Sequence, residues 1–333
     1  LYDVTSSYFE GVCNELAAFG YNRDRKRGKM QVVYGLLCDM AGVPVSISAF
    51  DGNTTDIKTF GSQVHKVAQR FGGGSITFVG DRGMIKGPQI ERLQAEKDHE
   101  FHYITGITKP QIETLLKKGV VQLGLFDEQV AEVATDEGIR YVLRRNPTRA
   151  NEMTASRQSK YAVLESLVKE QNAYLAEHPR ASVVVAQQKV EAKWKKLRLP
   201  PVEVIVDCKK ADAAQAGTED GNGQKLDDVK PAGRTLLLSR QSEAWEGAAK
   251  LDGCYCLKTD LLKKEAAKEV ILDRYKDLAQ VEWAFRTSKT NHLEARPVYV
   301  RKAERTRGHL LVLLLGYLLV QELSRCWRSL VIT

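Results

Sequence analysis

The sequence predicts an α/β protein in which a mixed sheet flanked by helices is interrupted by a mixed α+β insertion domain. Two observations lead there. Strand-like and helix-like runs alternate over residues 1–108 in the order strand, hairpin, helix, strand, helix, strand. The pattern loosens over 109–252 and resumes over 253–333 with a strand and two strong helical stretches. The predicted organisation is therefore a core in two parts, 1–108 and 253–333, separated by the insertion 109–252. Composition agrees: 333 residues can bury a core, and 43% apolar residues with 25 Gly and 9 Pro exclude disordered, collagen-like and disulfide-scaffold classes.

Each element has a local reason. Tyr2 to Phe9 alternates, placing Tyr2 and Val4 on one face and Asp3 and Thr5 on the other. Met30 to Met40 and Val43 to Phe50 are β-rich runs joined at Ala41-Gly42, a hairpin. Thr54, Thr55 and Asp56 offer N-caps for a helix to about Phe71, stopped by Gly72-Gly73-Gly74. Ser75 to Val79 ends in Gly80-Asp81-Arg82-Gly83, which puts Asp81 at the tip of a strand, where open α/β sheets bind ligands. Pro88 to Lys97 reads as helix and Glu100 to Ile107 as strand. Inside the insertion, 154–177 and 183–196 are helical, while 209–233, rich in Ala, Asp, Gly and Gln, is a loop expected to be mobile. Cys254 to Thr259 is a strand, Lys263 to Lys289 one helix, and Glu304 to Leu323 a final, buried helix. Its apolar run, Leu310 to Val320, is shorter than the roughly 18 residues a bilayer needs, so no membrane partner is expected. Six cysteines without framework spacing suggest a reducing compartment, by default the cytoplasm. The strand-like opening without an initiator Met predicts a chain that starts inside a domain.

Charge is concentrated. Tyr21 to Lys29 carries Arg23, Arg25, Lys26, Arg27 and Lys29 against Asp24, net +4, and Arg286 to Arg307 carries seven cations, among them Lys289, Arg296 and Arg301, against two glutamates, net +5; together they carry the whole surplus of the chain, whose net charge is +8. Such clusters suit a polyanion, which releases counterions when Lys and Arg bind it; a solvated face accounts for them equally well.

On the helix around Glu282, Tyr275 and Lys289 lie about 20° away and Leu278 and Arg286 about 40° away, so one face presents Tyr, Glu, Arg and Lys. Alone this is a surface ion-pair row. In company with Asp3 and Asp81, two carboxylates on strands that one sheet can bring together, it completes an oxygen-rich site of the kind hard divalent cations prefer.

At this point the residues resemble a known family. Tyr2-Asp3-Val4-Thr5, Gly52-Asn53-Thr54-Thr55-Asp56, Gly80-Asp81-Arg82-Gly83, the series Tyr275, Glu282, Lys289, and the stretches Arg296-Pro297-Val298-Tyr299 and Arg307-Gly308-His309 are similar to the DDE transposases of bacterial insertion sequences, in the branch with a β-rich insertion. Leu278 stands where the family pattern has Arg; Arg286, on the same face, is placed to compensate. The resemblance implies an RNase H-like core with Asp3, Asp81 and Glu282 as catalytic metal ligands for Mg²⁺, or Mn²⁺. It further implies DNA contacts from Tyr275 and Lys289, and, by charge and position, from Arg286, Arg23, Arg25, Lys26, Arg27, Arg296 and Arg301. The implied partners are duplex DNA, as transposon inverted repeats and target, and a second copy in the DNA complex. The implied reaction is cleavage at the transposon end followed by attack of the freed 3′-hydroxyl on target DNA. The separations of 78 and 201 residues between the three carboxylates fit an interrupted core.

Two alternatives stand beside it: an inactive RNase H-like DNA-binding protein, and a metal-dependent nuclease without strand transfer. Other features carry less. His99 and His102 face opposite sides of a strand; Cys254 and Cys256 lack a second pair for zinc; Gly72-Gly73-Gly74 lacks the Lys and Ser/Thr of a P-loop; Trp194 and Trp245 sit in amphipathic patterns that suit a core.

Overall fold

The structure is a computed structural model and describes residues 1–11, 13–21, 23–24, 26–70, 74–95, 99–208, 234–290, 293–295 and 300–327. The chain divides into two compact units, Leu1–Arg144 with Tyr255–Thr333, and Arg145–Cys254.

In the first unit β1 (Tyr2–Tyr8), β2 (Gln31–Cys38) and β3 (Pro44–Phe50) form an antiparallel sheet, with Asp3 opposite Leu36. Gly42, at φ +75°, makes the hairpin turn between β2 and β3. All of β2 is buried because both of its faces are covered. Leu37 packs with Tyr2 and Val4 against α1 (Asp56–Arg70), whose Phe60, Val64 and Val67 recur at helical spacing. Tyr34, Leu36 and Cys38 face the other way.

A second sheet holds β4 (Ser75–Gly80), followed by α2 (Gly87–Ala95), and β5 (Glu100–Gly106) parallel to β4. After α3 (Lys109–Lys117) come β6 (Ala131–Ala134) and β7 (Arg140–Arg145). The sheet order is β4-β5-β10-β7-β6, where β10 (Cys254–Thr259) runs antiparallel to β5. This mixed five-stranded sheet flanked by helices is an RNase H-like α/β arrangement. Cα atoms of β1 and β4 approach within 8 Å, which joins the two sheets at their edges.

The helix expected over 263–289 is two helices, α7 (Lys268–Lys276) and α8 (Leu278–Ser288). Its start is displaced because Arg140 Nη1 donates to the carbonyls of Leu261 (2.8 Å) and Ala266 (2.9 Å), removing them as helix acceptors. The break falls at Asp277, whose carboxylate pairs with Arg274 at 3.1 Å and accepts from Gln280 at 3.2 Å.

The last helix, α9 (Ala303–Trp327), is not buried throughout. Leu310, Leu313, Leu314 and Tyr317 pack on Tyr34, Val281 and Phe285, while Leu311, Leu315, Leu319 and Leu323, four residues apart, form an exposed stripe. By length and composition α9 could cross a membrane, although its Leu310, Leu313, Leu314 and Tyr317 face belongs to the core.

The second unit builds on α4 (Pro147–Glu177), α5 (Val183–Leu197), the hairpin β8 (Val202–Cys208) and β9 (Arg234–Arg240), and α6 (Ser242–Lys250). Residues 109–144, expected within the insertion, group with the first unit. Trp194 and Trp245 pack against this unit's own core, and Arg240 lies over the Tyr161 ring at 3.6 Å. The expected loop 209–233 lies outside the described residues, as do Gly72 and Gly73.

Phe60 is fully buried, with Phe78 edge-on at 5.5 Å and Tyr2 at 6.3 Å. Phe60→Ala should therefore destabilise the protein by about 3–5 kcal/mol in urea unfolding, with the slope of the transition unchanged.

Candidate active site

Two sheets meeting at β1 and β4 dictate where the first two carboxylates go. Tyr2 and Val4 turn into the α1 side of the core, so alternation points Asp3 and Thr5 to the opposite face, the one that α8 covers. Asp81 follows the last residue of β4 and is exposed, its Oδ1 accepting from the backbone N–H of Arg82 at 2.7 Å. A tight turn, Met84 N–H to Asp81 O at 2.9 Å, holds the segment.

Burial pushes the Asp3 carboxyl up to about 7. The backbone N–H of Val4, at 2.8 Å from Oδ1, and Arg23 oppose the shift, and the negative charges of Asp81 and Asp56 add to it. Asp3 and Asp81 thus sense each other directly. Tyr275, near the end of α7, donates its hydroxyl to Asp81 Oδ1 at 3.4 Å. Burial, then the charges of Asp81 and Glu282, keep the phenol protonated. Tyr275 reaches this position because β5 ends in Gly106: a Cβ there would stand 2.7 Å from the phenol oxygen. Glu282 is exposed on α8.

The carboxylate set is chemically suited to a hard divalent cation, since Asp3 and Asp81 carry mutually repelling charge with no histidine or thiol among them. It is not drawn together into a cage: among the described residues no group of three or more His, Cys, Asp or Glu is arranged to hold an ion.

The cationic residues divide. Arg27, Arg286 and Arg301 are exposed, and Lys26, also exposed, lies 5.8 Å from the Tyr8 ring. Arg23 gives Nη1 to Val4 O (2.7 Å) and Nη2 to both oxygens of Asp56 (2.6 Å). Lys289 donates to Thr5, Ser6 and Asp24. Arg25 and Arg296 lie outside the described residues. Asp24 and Asp56 are the partners that hold Lys289 and Arg23; the sequence marks Asp24 only as a counter-charge, and Asp56 as a helix cap within the Gly52–Asp56 motif, neither as an ion-pair partner. His102 stands 3.5 Å from Asp260, His99 stacks on Phe101, and Cys254 and Cys256 are buried.

Between the unfolded value near 3.9 and about 7, native Asp3 holds a proton that the unfolded chain has released, so stability falls as pH rises through this window and levels off above it. In the presence of chelator, Asp3→Asn should abolish this fall and exceed the wild type by roughly 2–4 kcal/mol at pH 8, measured by denaturant unfolding at several pH values.

Comparison with known proteins gives a match to the transposase DDE domain over residues 3–319. No curated protein and no solved structure matches the chain. The matched span opens on Asp3, passes Asp81, Tyr275 and Glu282, and runs into α9, taking in both parts of the core described above. The chain belongs to the transposase DDE domain family.

Proposed function

We propose that the protein is a transposase that cuts DNA at the ends of a mobile element and joins those ends to target DNA. Family membership gives transposition-related endonuclease activity, DNA as the partner and divalent ions as the usual cofactor. End cleavage, strand transfer and Mg²⁺, or Mn²⁺, as the ion are our reading. The observation that carries it is the juxtaposition of Asp3 and Asp81 beside a Tyr275 hydroxyl that also feels Glu282.

Asp3, Asp81 and Glu282 would hold the ions, which when bound polarise a phosphodiester and lower the pKa of water. The remaining work falls to the chain. Asp3 keeps a proton near neutrality while no cation is present and surrenders it on binding. Tyr275, held protonated, fixes the orientation of Asp81 through its hydrogen bond. A cavity of about 490 Å³ beside Asp81, lined by Tyr21, Asn53, Thr54, Thr55 and Asp56, leaves room for the strand to be cut. Exposed Arg27, Arg286 and Arg301, with Lys26, supply positive charge for the backbone. The same three carboxylates serve both chemical steps, with a 3′-hydroxyl replacing water as nucleophile in the second. No covalent bond to the enzyme is required. Joining two ends to one target suits a homodimer on the DNA.

Incubated with the DNA that flanks its own reading frame and Mg²⁺, the full-length protein should nick the element ends and join them to a second duplex. Asp81→Ala and Glu282→Ala should each lower the nicking rate by at least about 100-fold, and chelator should stop it. Nicks without joined products indicate a hydrolytic nuclease; salt-dependent binding with intact DNA indicates a binding protein. Gel analysis of labelled ends separates the three.

A further inference from the structure

Two tryptophans of the second unit do more than fill its core. Trp194 Nε1 donates to the backbone oxygens of Leu199 at 3.2 Å and Pro200 at 3.1 Å, and Trp245 Nε1 donates to that of Pro201 at 3.0 Å. These bonds pin the segment that follows α5. Its first residue, Arg198, caps α5 at φ +53° and ψ +43°, the left-handed conformation in which helices commonly end on Gly or Asn. An arginine there bears a strain that Gly avoids, and it places a guanidinium where Gly leaves none.

That guanidinium lines a cavity of about 320 Å³ whose remaining polar lining comes from α4: Arg149, Glu152, Ser156, Arg157 and Lys160. At 3.6 residues per turn, Arg149, Ser156 and Lys160 lie within about 40° of one another, so they form one row along the helix. Arg157 is held by Asp252, whose carboxylate is buried, and Arg149 shares an exposed ion pair with Glu152 at 2.7 Å. Lys160 and Arg198 are exposed, and neither side chain is bonded to another described residue. Four cations against two carboxylates leave positive charge unanswered in a concave site, which focuses its field on an incoming anion.

Guanidinium, ammonium and hydroxyl donors together suit phosphate oxygens. The row from Arg149 to Lys160 is about 16 Å long, more than one phosphate ion can touch. Duplex DNA presents a charge about every 3.4 Å along each strand and spans such a row. We propose that this cleft holds backbone phosphates of duplex DNA through residues of the second unit alone, sharing none with the carboxylate site. The inference rests on the reading of DNA as the substrate. All four cations lie outside the two basic runs that stand out in the sequence.

The test titrates the full chain, in chelator so that nothing is cut, against a labelled duplex from the DNA flanking its reading frame, at several salt concentrations. Lys160→Gln and Arg198→Gly should each weaken binding about 3–10-fold at 0.15 M salt and make the slope of log affinity against log salt shallower by about one. The double variant should lose about two. Arg198→Gly keeps the left-handed cap with the residue that suits it, so charge is removed while the melting midpoint stays near that of wild type. Lys169→Gln removes the same charge from the opposite face of α4 and should leave affinity and slope unchanged.

Wild-type affinity and slope in the double variant, or an equal loss in Lys169→Gln, would overturn the proposal. Millimolar inorganic phosphate that raises the melting midpoint of the wild type and not of the double variant, with duplex affinity the same in both, would assign the cleft to a free anion and overturn it as well. A wild type that binds no duplex at any salt concentration sinks the DNA reading and the cleft with it. The expected losses of affinity, with no nicking once Mg²⁺ is added, support the cleft and sink only the transposase reaction.

Discussion

Asp3 carries a carboxyl group that water would keep ionised well below neutral pH, and β1 withholds the water. Everything else at the site follows from that one constraint. A strand buried on both faces brings Asp3 beside β4, and Asp81 arrives at the end of β4 with a second like charge. Asp3 is held in place, because Tyr2 and Val4 lock β1 into the aromatic cluster of Phe60 and Phe78. Without a counter-ion Asp3 keeps a proton near neutrality, and a cation is the species that would draw that proton off.

Support for the pair comes from outside the sheet. Tyr275 enters over Gly106 and donates to Asp81, and α8 lies across the face of β1 on which Asp3 and Thr5 project. The helices that deliver these side chains are held by Arg140, whose bonds to Leu261 and Ala266 fix where α7 begins. A residue on β7 thus sets the approach of Tyr275, a long way from it in sequence.

How much of this the sequence discloses depends on the range of the forces involved. Asp81 was legible because a β-branched run ending in Gly-Asp-Arg-Gly defines a strand tip by local geometry alone. The face of Asp3 followed from alternation, and Phe60, Val64 and Val67 from helical spacing. Neither the break at Asp277 nor the late start of the expected 263–289 helix was legible: ahead of α7 Arg140, more than a hundred residues earlier in the chain, bonds the carbonyls of Leu261 and Ala266. Arg23 and Lys289 read as part of basic runs, since composition counts their charge but cannot show that Asp56 and Asp24 hold it. The final helix read as fully buried because its apolar residues are nearly continuous, yet only the Leu310, Leu313, Leu314 and Tyr317 face meets the core.

The outer edge of β1 has a consequence beyond chemistry. A strand with unmet N–H and C=O groups is an open template for pairing with another chain, and proteins commonly guard such strands with charge. Here an arginine, an aspartate and a lysine occupy the hydrogen-bonding positions of Val4, Ser6 and Tyr8 that an intruding strand would need. The bonds that steady the Asp3 strand therefore also shield the sheet from edge-to-edge aggregation.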